Sequence, residues 1–425
     1  MSKESKNMTV PKLRFPEFSK DGEWEEKRLG EIGEPLMCKR IFKEQTTANP
    51  QNAIPFYKIG TFGREADSYI SIDLYNDYKS KYSFPTEGDI LISASGTIGR
   101  LVVYDGADAY FQDSNIVWLK NNEKSILNRF LFYCYSILRW QTSDGGVIQR
   151  LYNSDLKNIK IRYPQDLSEQ QKIASCLSSL DDLITAENQK LEALKAHKKG
   201  LMQQLFPVNG QIKPILRFAE FTKDWEKSKI EDLIELQSGY PFQSEYFSNE
   251  GKKLVTPKNF TKNGHGSFDK ENTKYTTEEI DMKYVCAAGD LLLLLTDLTP
   301  SCELLGKPLL LVEKDGEVLL NQRIVRVIPK ARIEIPFLLY FFSSESYHKR
   351  IKDTATGSTV RHSSNRIVLN TQLFVPSISE QQKIASCLSS LDELITAQAE
   401  KIEALKEHKK GLMQGLFPGL NEINE

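Results

Sequence analysis

The sequence predicts an α+β fold: two globular domains of mixed α and β structure, each followed by a long helix, with the two helices able to pair inside one chain. Three observations lead there. Ser168 to Pro207 and Ser379 to Pro418 are identical at 33 of 40 positions, a repeat whose period is far beyond that of solenoids. Both copies carry apolar residues at coiled-coil spacing. The stretches preceding the copies have largely diverged, yet they open alike: LRFPEFSKDGEW ends at Trp24 and LRFAEFTKDW at Trp225. The repeating unit is therefore a variable domain and then a helix, with boundaries expected at 1–166, 167–207, 208–377 and 378–425.

Within the first domain, Gly88 to Tyr104 (GDILISASGTIGRLVVY) reads as two short strands around a Ser/Gly/Thr turn, and Asn115 to Lys120 as a further strand. Arg129 to Thr142 is an aromatic-rich helix candidate, followed by a Gly-Gly loop that leads to Gln149 and Arg150. The second domain repeats the order with GDLLLLLTDLTPSCELLGKPLLLV and LNQRIVRVIP. A helix is expected over Phe337 to Lys352, and a polar loop over Thr356 to Arg366. Corresponding positions carry unlike polar residues, as one scaffold with two surface chemistries would.

The helix copies can be read residue by residue. Ile173, Leu177, Leu180, Ile184, Glu187, Leu191, Leu194, Lys198, Leu201 and Leu205 alternate by four and three, which is a heptad seam. Ile384, Leu388, Leu391, Ile395, Gln398, Ile402, Leu405, Lys409, Leu412 and Leu416 repeat it. Capping boxes are expected from Ser168 with Gln171 and from Ser379 with Gln382. Each copy closes on His-Lys-Lys-Gly, placing positive charge near the negative end of the helix dipole. Leu183 and Leu394, with Cys176 and Cys387, widen the apolar face toward each N-terminus, where packing on a globular domain is expected. At about 1.5 Å per residue, roughly 35 helical residues make a rod near 50 Å long.

Composition excludes more than it assigns. The N-terminus MSKESKNMTVPK is polar, and runs such as Leu291 to Leu295 are too short to span a bilayer, so a cytoplasmic protein without membrane contact is expected. Six cysteines with no CxxC pair suggest neither a zinc site nor a disulfide scaffold. A net charge of −1 names no partner, although a local basic face can sit inside a balanced total. Catalytic signatures are missing. The Asn-Pro at Asn49-Pro50 is followed by Gln51, which does not make an amine-methylating Asn/Asp-Pro-Pro-aromatic loop. Gly306-Lys307 runs into Pro308 rather than completing a phosphate loop.

Taken together, the SEQQKIA helix copies, the LRF-x-EF openings, the GDILISASGTIG and GDLL strand-loops and the late polar loops resemble the specificity subunits of type I restriction-modification systems, over essentially the whole chain. The resemblance implies two target-recognition domains, each reading half of an interrupted double-stranded DNA sequence, held apart by an antiparallel helix pair. It implies docking of two modification subunits that methylate adenine, and of restriction subunits in the full complex. It also implies a chain that is not itself an enzyme and holds no cofactor: S-adenosylmethionine, ATP and Mg2+ belong to the partners. The alternative is a coiled-coil scaffold that clamps partner subunits without reading DNA.

The strands of a duplex run antiparallel, so a duplicated protein on one duplex gains from pseudo-twofold placement of its domains. That placement makes the helices antiparallel and brings Glu187 near Gln398 at their middle. Base reading favours bidentate side chains, Arg to guanine and Asn or Gln to adenine, with Ser and Thr adaptable. Candidates in the first domain are Ser93, Ser95, Thr97 and Arg100 on the ISASGTIGR loop, then Gln149, Arg150 and Asn153. In the second they are Thr296, Asp297 and Thr299, then Asn321, Gln322 and Arg323, then Arg361, His362, Asn365 and Arg366. Lys58 and Lys258, in matching early segments, are candidates for phosphate contacts. If the helices act as a ruler, inserting or deleting residues within them changes the gap between two half-sites and not the bases read; mapping methylated adenines for such variants checks this.

Overall fold

Residues 10–140, 150–207, 211–297, 301–330, 332–357 and 360–418 are described by the structure, a computed structural model. The chain forms two compact units, Met1–Glu187 with Lys401–Glu425, and Asn188–Glu400.

In the first unit the Gly-Asp pair opens the central strand. Gly88 has φ +86, a backbone that costs glycine little. The buried Asp89 carboxylate closes the turn by accepting from the Thr86 N–H (2.8 Å) and hydroxyl (2.9 Å). The strand Ile90–Ser93 is buried along its whole length, inside an antiparallel sheet of order Gly33–Leu36, Ile116–Asn121, Ile90–Ser93, Leu101–Val103. Ile90 and Ile92 pack with Trp24 and the helix Asn128–Ile137. Leu91 packs with Trp118 and Tyr110 under a smaller sheet of Tyr69–Ser71, Ala53–Tyr57 and Tyr110–Phe111. A strand covered on both faces reads as a continuous apolar run instead of an alternating one.

The second unit is built on the same rule. Gly289 (φ +93) and Asp290, whose carboxylate accepts from the Ala287 N–H at 2.9 Å, precede the strand Leu291–Leu294. Its sheet has the order Ile234–Ser238, Ile324–Pro329, Leu291–Leu294, Pro308–Leu310. Leu291 and Leu293 face one core and Leu292 and Leu294 another. The single helix expected over Phe337 to Lys352 is two, Ile335–Ser343 and Glu345–Asp353. Ser344 leaves the helical conformation and its Oγ accepts from the Tyr347 N–H, so it caps the second helix.

The long helices run Leu167–Leu205 and Ile378–Leu416, and each starts in one unit and ends in the other. The expected capping boxes are replaced. Asp166 accepts from the Ser168 N–H (2.7 Å) and Ser377 from the Glu380 N–H (3.4 Å), so each cap lies two residues before the serine that the sequence favours. Gln171 bonds Ser175 and Gln382 bonds Glu334.

The LRF segment explains the shared openings. In the first unit Arg14 grips the buried Glu169 at the start of one helix with bonds of 2.8 and 2.7 Å, while the Leu13 N–H donates at 2.8 Å to the Gly415 carbonyl at the end of the other. The second unit repeats this with Arg217 on Glu380 (2.7 and 2.8 Å) and Leu216 on the Gln204 carbonyl (2.9 Å). The next residue in each copy is equally fixed. Buried Gln170 accepts from the Leu127 N–H and donates to the Ser125 and Pro164 carbonyls. Gln381 does the same with Glu334, Arg332 and Pro376.

Inside each unit, opposite ends of the two helices pair antiparallel. In the first, as one helix advances from Asp181 to Glu187, its ion-pair partner on the other recedes from Lys409 to Lys401. Asp181 also accepts from the Tyr133 hydroxyl at 2.9 Å, with Lys409 over the Tyr133 ring. The second unit holds the matching set of Asp392, Lys198 and Tyr340. Burial follows the heptad: Ile173, Leu177, Leu191, Ile384, Leu388 and Ile402 are buried, and Leu180, Ile184, Leu194, Leu391, Ile395 and Leu405 half-buried, while most positions between are exposed. Neither Glu187 nor Gln398 is freely solvated, the latter being buried. The reading of Leu183 and Leu394 is corrected: at 40% and 54% exposure they point into solvent, one step off the seam.

Removing a carboxylate from one of these buried pairs strands a guanidinium. Glu169→Ala or Glu380→Ala is expected to destabilise its unit by about 3 kcal/mol, whereas Leu183→Ala stays within about 0.5 kcal/mol. Urea unfolding of the purified variants measures both.

Candidate nucleic-acid interface

Where the central strand of each unit ends, three chain segments are laced together by backbone bonds. In the first unit the Ala94 N–H donates to the Asn115 carbonyl (2.8 Å), the Leu151 N–H donates to the Ala94 carbonyl (2.8 Å), and Ser95 bridges Arg150. In the second the Leu295 N–H donates to the Arg323 carbonyl (3.1 Å), the Ser363 N–H donates to the Leu295 carbonyl (3.0 Å), and Thr296 pairs with His362. The same bonds recur, so positions can be matched by structure: Ser95 with Thr296, Asn115 with Arg323, Arg150 with His362, and Asn153 with Asn365. The frame is shared and the side chains differ.

The first unit spends several of its candidates on the frame. Ser93 is buried, donating to the Thr97 carbonyl (2.6 Å) and accepting from the Arg100 N–H (2.7 Å). Both bonds brace the loop from within, so the Ser93 hydroxyl, read from the sequence as a candidate base contact, is engaged inside the protein. Arg100 donates to the Phe62 carbonyl at 2.8 Å, tying its loop to the segment that follows Lys58. Lys58 itself is ion-paired with Asp67 at 2.8 Å. Ser95 donates to Asn115 Oδ1 (2.8 Å), and Arg150 to the Ser114 carbonyl (2.7 Å). Thr97 and Asn153 are exposed, and Gln149 lies outside the described residues.

The second unit gathers its candidates around a cleft of about 480 Å³, lined among others by Thr296, Gln322, Arg323, His362 and Asn365. Thr296 Oγ1 lies 3.1 Å from His362 Nδ1, and Asn365 donates to Ser238 Oγ at 3.2 Å. Asp297, another candidate, is buried and accepts from the Leu304 N–H at 2.7 Å, which makes it a brace of its loop. Asn321 is half-buried and its carbonyl accepts from the Ile324 N–H in the turn. Arg361 has its Nε buried and Arg366 is exposed; neither lines the cleft. Lys258 is exposed on the turn Pro257–Asn259, and Thr299 lies outside the described residues. Nearby, burial lowers the His348 pKa to about 4, so the ring is neutral and its Nε2–H donates to the Cys302 carbonyl at 2.9 Å.

Ser114 and Asn115 escaped the sequence reading. The signal was there: Asn115-Ile116-Val117 aligns with Arg323-Ile324-Val325, but only the repeated backbone bond makes the alignment compelling.

The family sequence model described as the type I restriction modification DNA specificity domain matches the chain twice, over residues 21–196 and 222–407. The chain belongs to this type I specificity family. Each match takes in one domain and most of its helix, so the specificity chain is a duplication of one DNA-recognising unit, and recognition of DNA sequence, not clamping alone, is its work. It is 55% identical over 155 residues to a putative type I restriction enzyme specificity subunit of Haemophilus influenzae, a match spanning 36% of this chain and 40% of that protein. It is 28% identical over 379 residues to the MjaVIII specificity subunit of Methanocaldococcus jannaschii, spanning 83% and 85% of the two. The crystal structure of an S subunit from M. genitalium shares the fold, with a TM-score of 0.60 at 16% identity over 96% of this chain and 99% of that one. No helix among the described residues is long and apolar enough to cross a membrane.

The bracing assigned to Ser93 predicts that Ser93→Ala costs about 1–3 kcal/mol, the price of stranding two loop partners, while Thr97→Ala leaves stability unchanged; urea unfolding of the two variants compares them.

Proposed function

We propose that the specificity chain reads an interrupted DNA target, one half with each domain, and directs adenine methylation by two docked modification subunits and cleavage when restriction subunits join. The observation that carries this reading is the pair of identically laced loop clusters with unlike side chains, Ser95, Asn115 and Arg150 in one unit and Thr296, Arg323 and His362 in the other. A repeated backbone frame with exchanged polar groups suits two different words read by one mode of approach. The chain binds and positions. S-adenosylmethionine, ATP and Mg2+ act in the partner subunits, and the complex works in the cytoplasm, where the DNA is.

Long-read mapping of methylated adenine tests the reading, in a methylation-free host expressing this chain with its modification subunit, against a host lacking this chain. A single interrupted motif, methylated on both strands only when the chain is present, is expected. A stable complex that methylates no motif would refute the proposal.

A further inference from the structure

The matched positions differ in how far their side chains are already engaged. Arg323 has a pinned backbone: its carbonyl accepts from the Leu295 N–H, and the flanking residues bond at 3.0 Å (Gln322 N–H to the Tyr240 carbonyl) and 2.9 Å (Ile324 N–H to the Asn321 carbonyl). Its guanidinium is exposed and bonds to none of the described residues. Other arginines of the second unit are placed otherwise. Arg326 is held by Gln237 and by the Val285 and Lys283 carbonyls. Arg350 is held by Thr371, and Arg361 and Arg366 lie off the cleft. Arg323 thus brings to a cleft shared with Thr296, His362 and Asn365 a guanidinium whose five donors are unused among the described residues.

At the matching place in the first unit stands Asn115, half-buried, with Oδ1 accepting from Ser95 Oγ. That bond orients the amide and leaves its NH2 unbonded among the described residues. Asn115 offers a donor beside an acceptor, and Arg323 offers donors alone. Guanine presents two acceptors, O6 and N7, to the major groove; adenine presents the N7 acceptor beside the N6 donor.

We infer that Arg323 reads a guanine in the half-site bound by the second domain, and that Asn115 reads an adenine at the equivalent step of the half-site bound by the first. This inference rests on the proposed DNA reading and adds to it the two residues that make the half-sites differ.

The test maps methylated adenine for the whole chain with its modification subunit, comparing wild type with Arg323→Ala, Arg323→Lys and Asn115→Ala. The expected result is that both Arg323 variants relax one guanine position of one half-site, lowering discrimination there about tenfold or more, and leave the other half-site intact. Asn115→Ala relaxes an adenine in that other half-site. Lysine keeps the charge without the fork, so Arg323→Lys still reports if the alanine variant fails to assemble. Unchanged motifs, relaxation at another base, or a uniform loss of methylation with no relaxed position would overturn the inference while leaving the proposed function standing. A wild-type complex that yields no motif would overturn both.

Discussion

Everything in this chain hangs on two buried ion pairs, Arg14 with Glu169 and Arg217 with Glu380. A carboxylate taken out of water is costly unless its lone pairs are filled, and a bidentate guanidinium fills them in a fixed plane. Because Leu13 and Leu216, one residue earlier, donate to the far ends of the opposite helices, each LRF segment fastens a helix start and a helix end together. The direction in which each helix leaves its domain is set by this joint.

The Tyr133–Asp181–Lys409 and Tyr340–Asp392–Lys198 sets work one level out. An ion pair that also takes a domain tyrosine hydroxyl is satisfied in one register only, so these sets tie helix register to domain position. Polar groups in a seam commonly act this way. The apolar layers supply most of the burial, and the polar ones fix the alignment.

The recognition clusters use the opposite principle. Their backbones are pinned by bonds that recur in both units, and braces such as Ser93 and Asp297 stiffen the loops from within. The side chains above that frame are free to vary, since none of the shared bonds involves them. A scaffold organised so can change the word it reads without being rebuilt.

Sequence alone determined the repeated architecture and the helical seam, because periodic burial along one helix leaves a periodic pattern in the residues. The strands GDILIS and GDLLLL were legible for a related reason: burial on both faces demands unbroken apolar runs. The caps were misjudged, since Asp166 and Ser377 compete with Ser168 and Ser379 and backbone geometry decides between them. The break at Ser344 was hidden because Tyr347 and Ile351 resume a helical spacing beyond it. What only the tertiary structure decided is which polar side chains are spent and which remain available. Ser93 and Thr97 are equally plausible in a string of letters, but one is buried with two bonds and the other faces solvent. Asn115 and Arg323 share only a short local resemblance, each preceding Ile-Val, and the match became firm through the backbone bonds to Ala94 and Leu295, far off in the chain; a backbone bond does not depend on which side chain the residue carries.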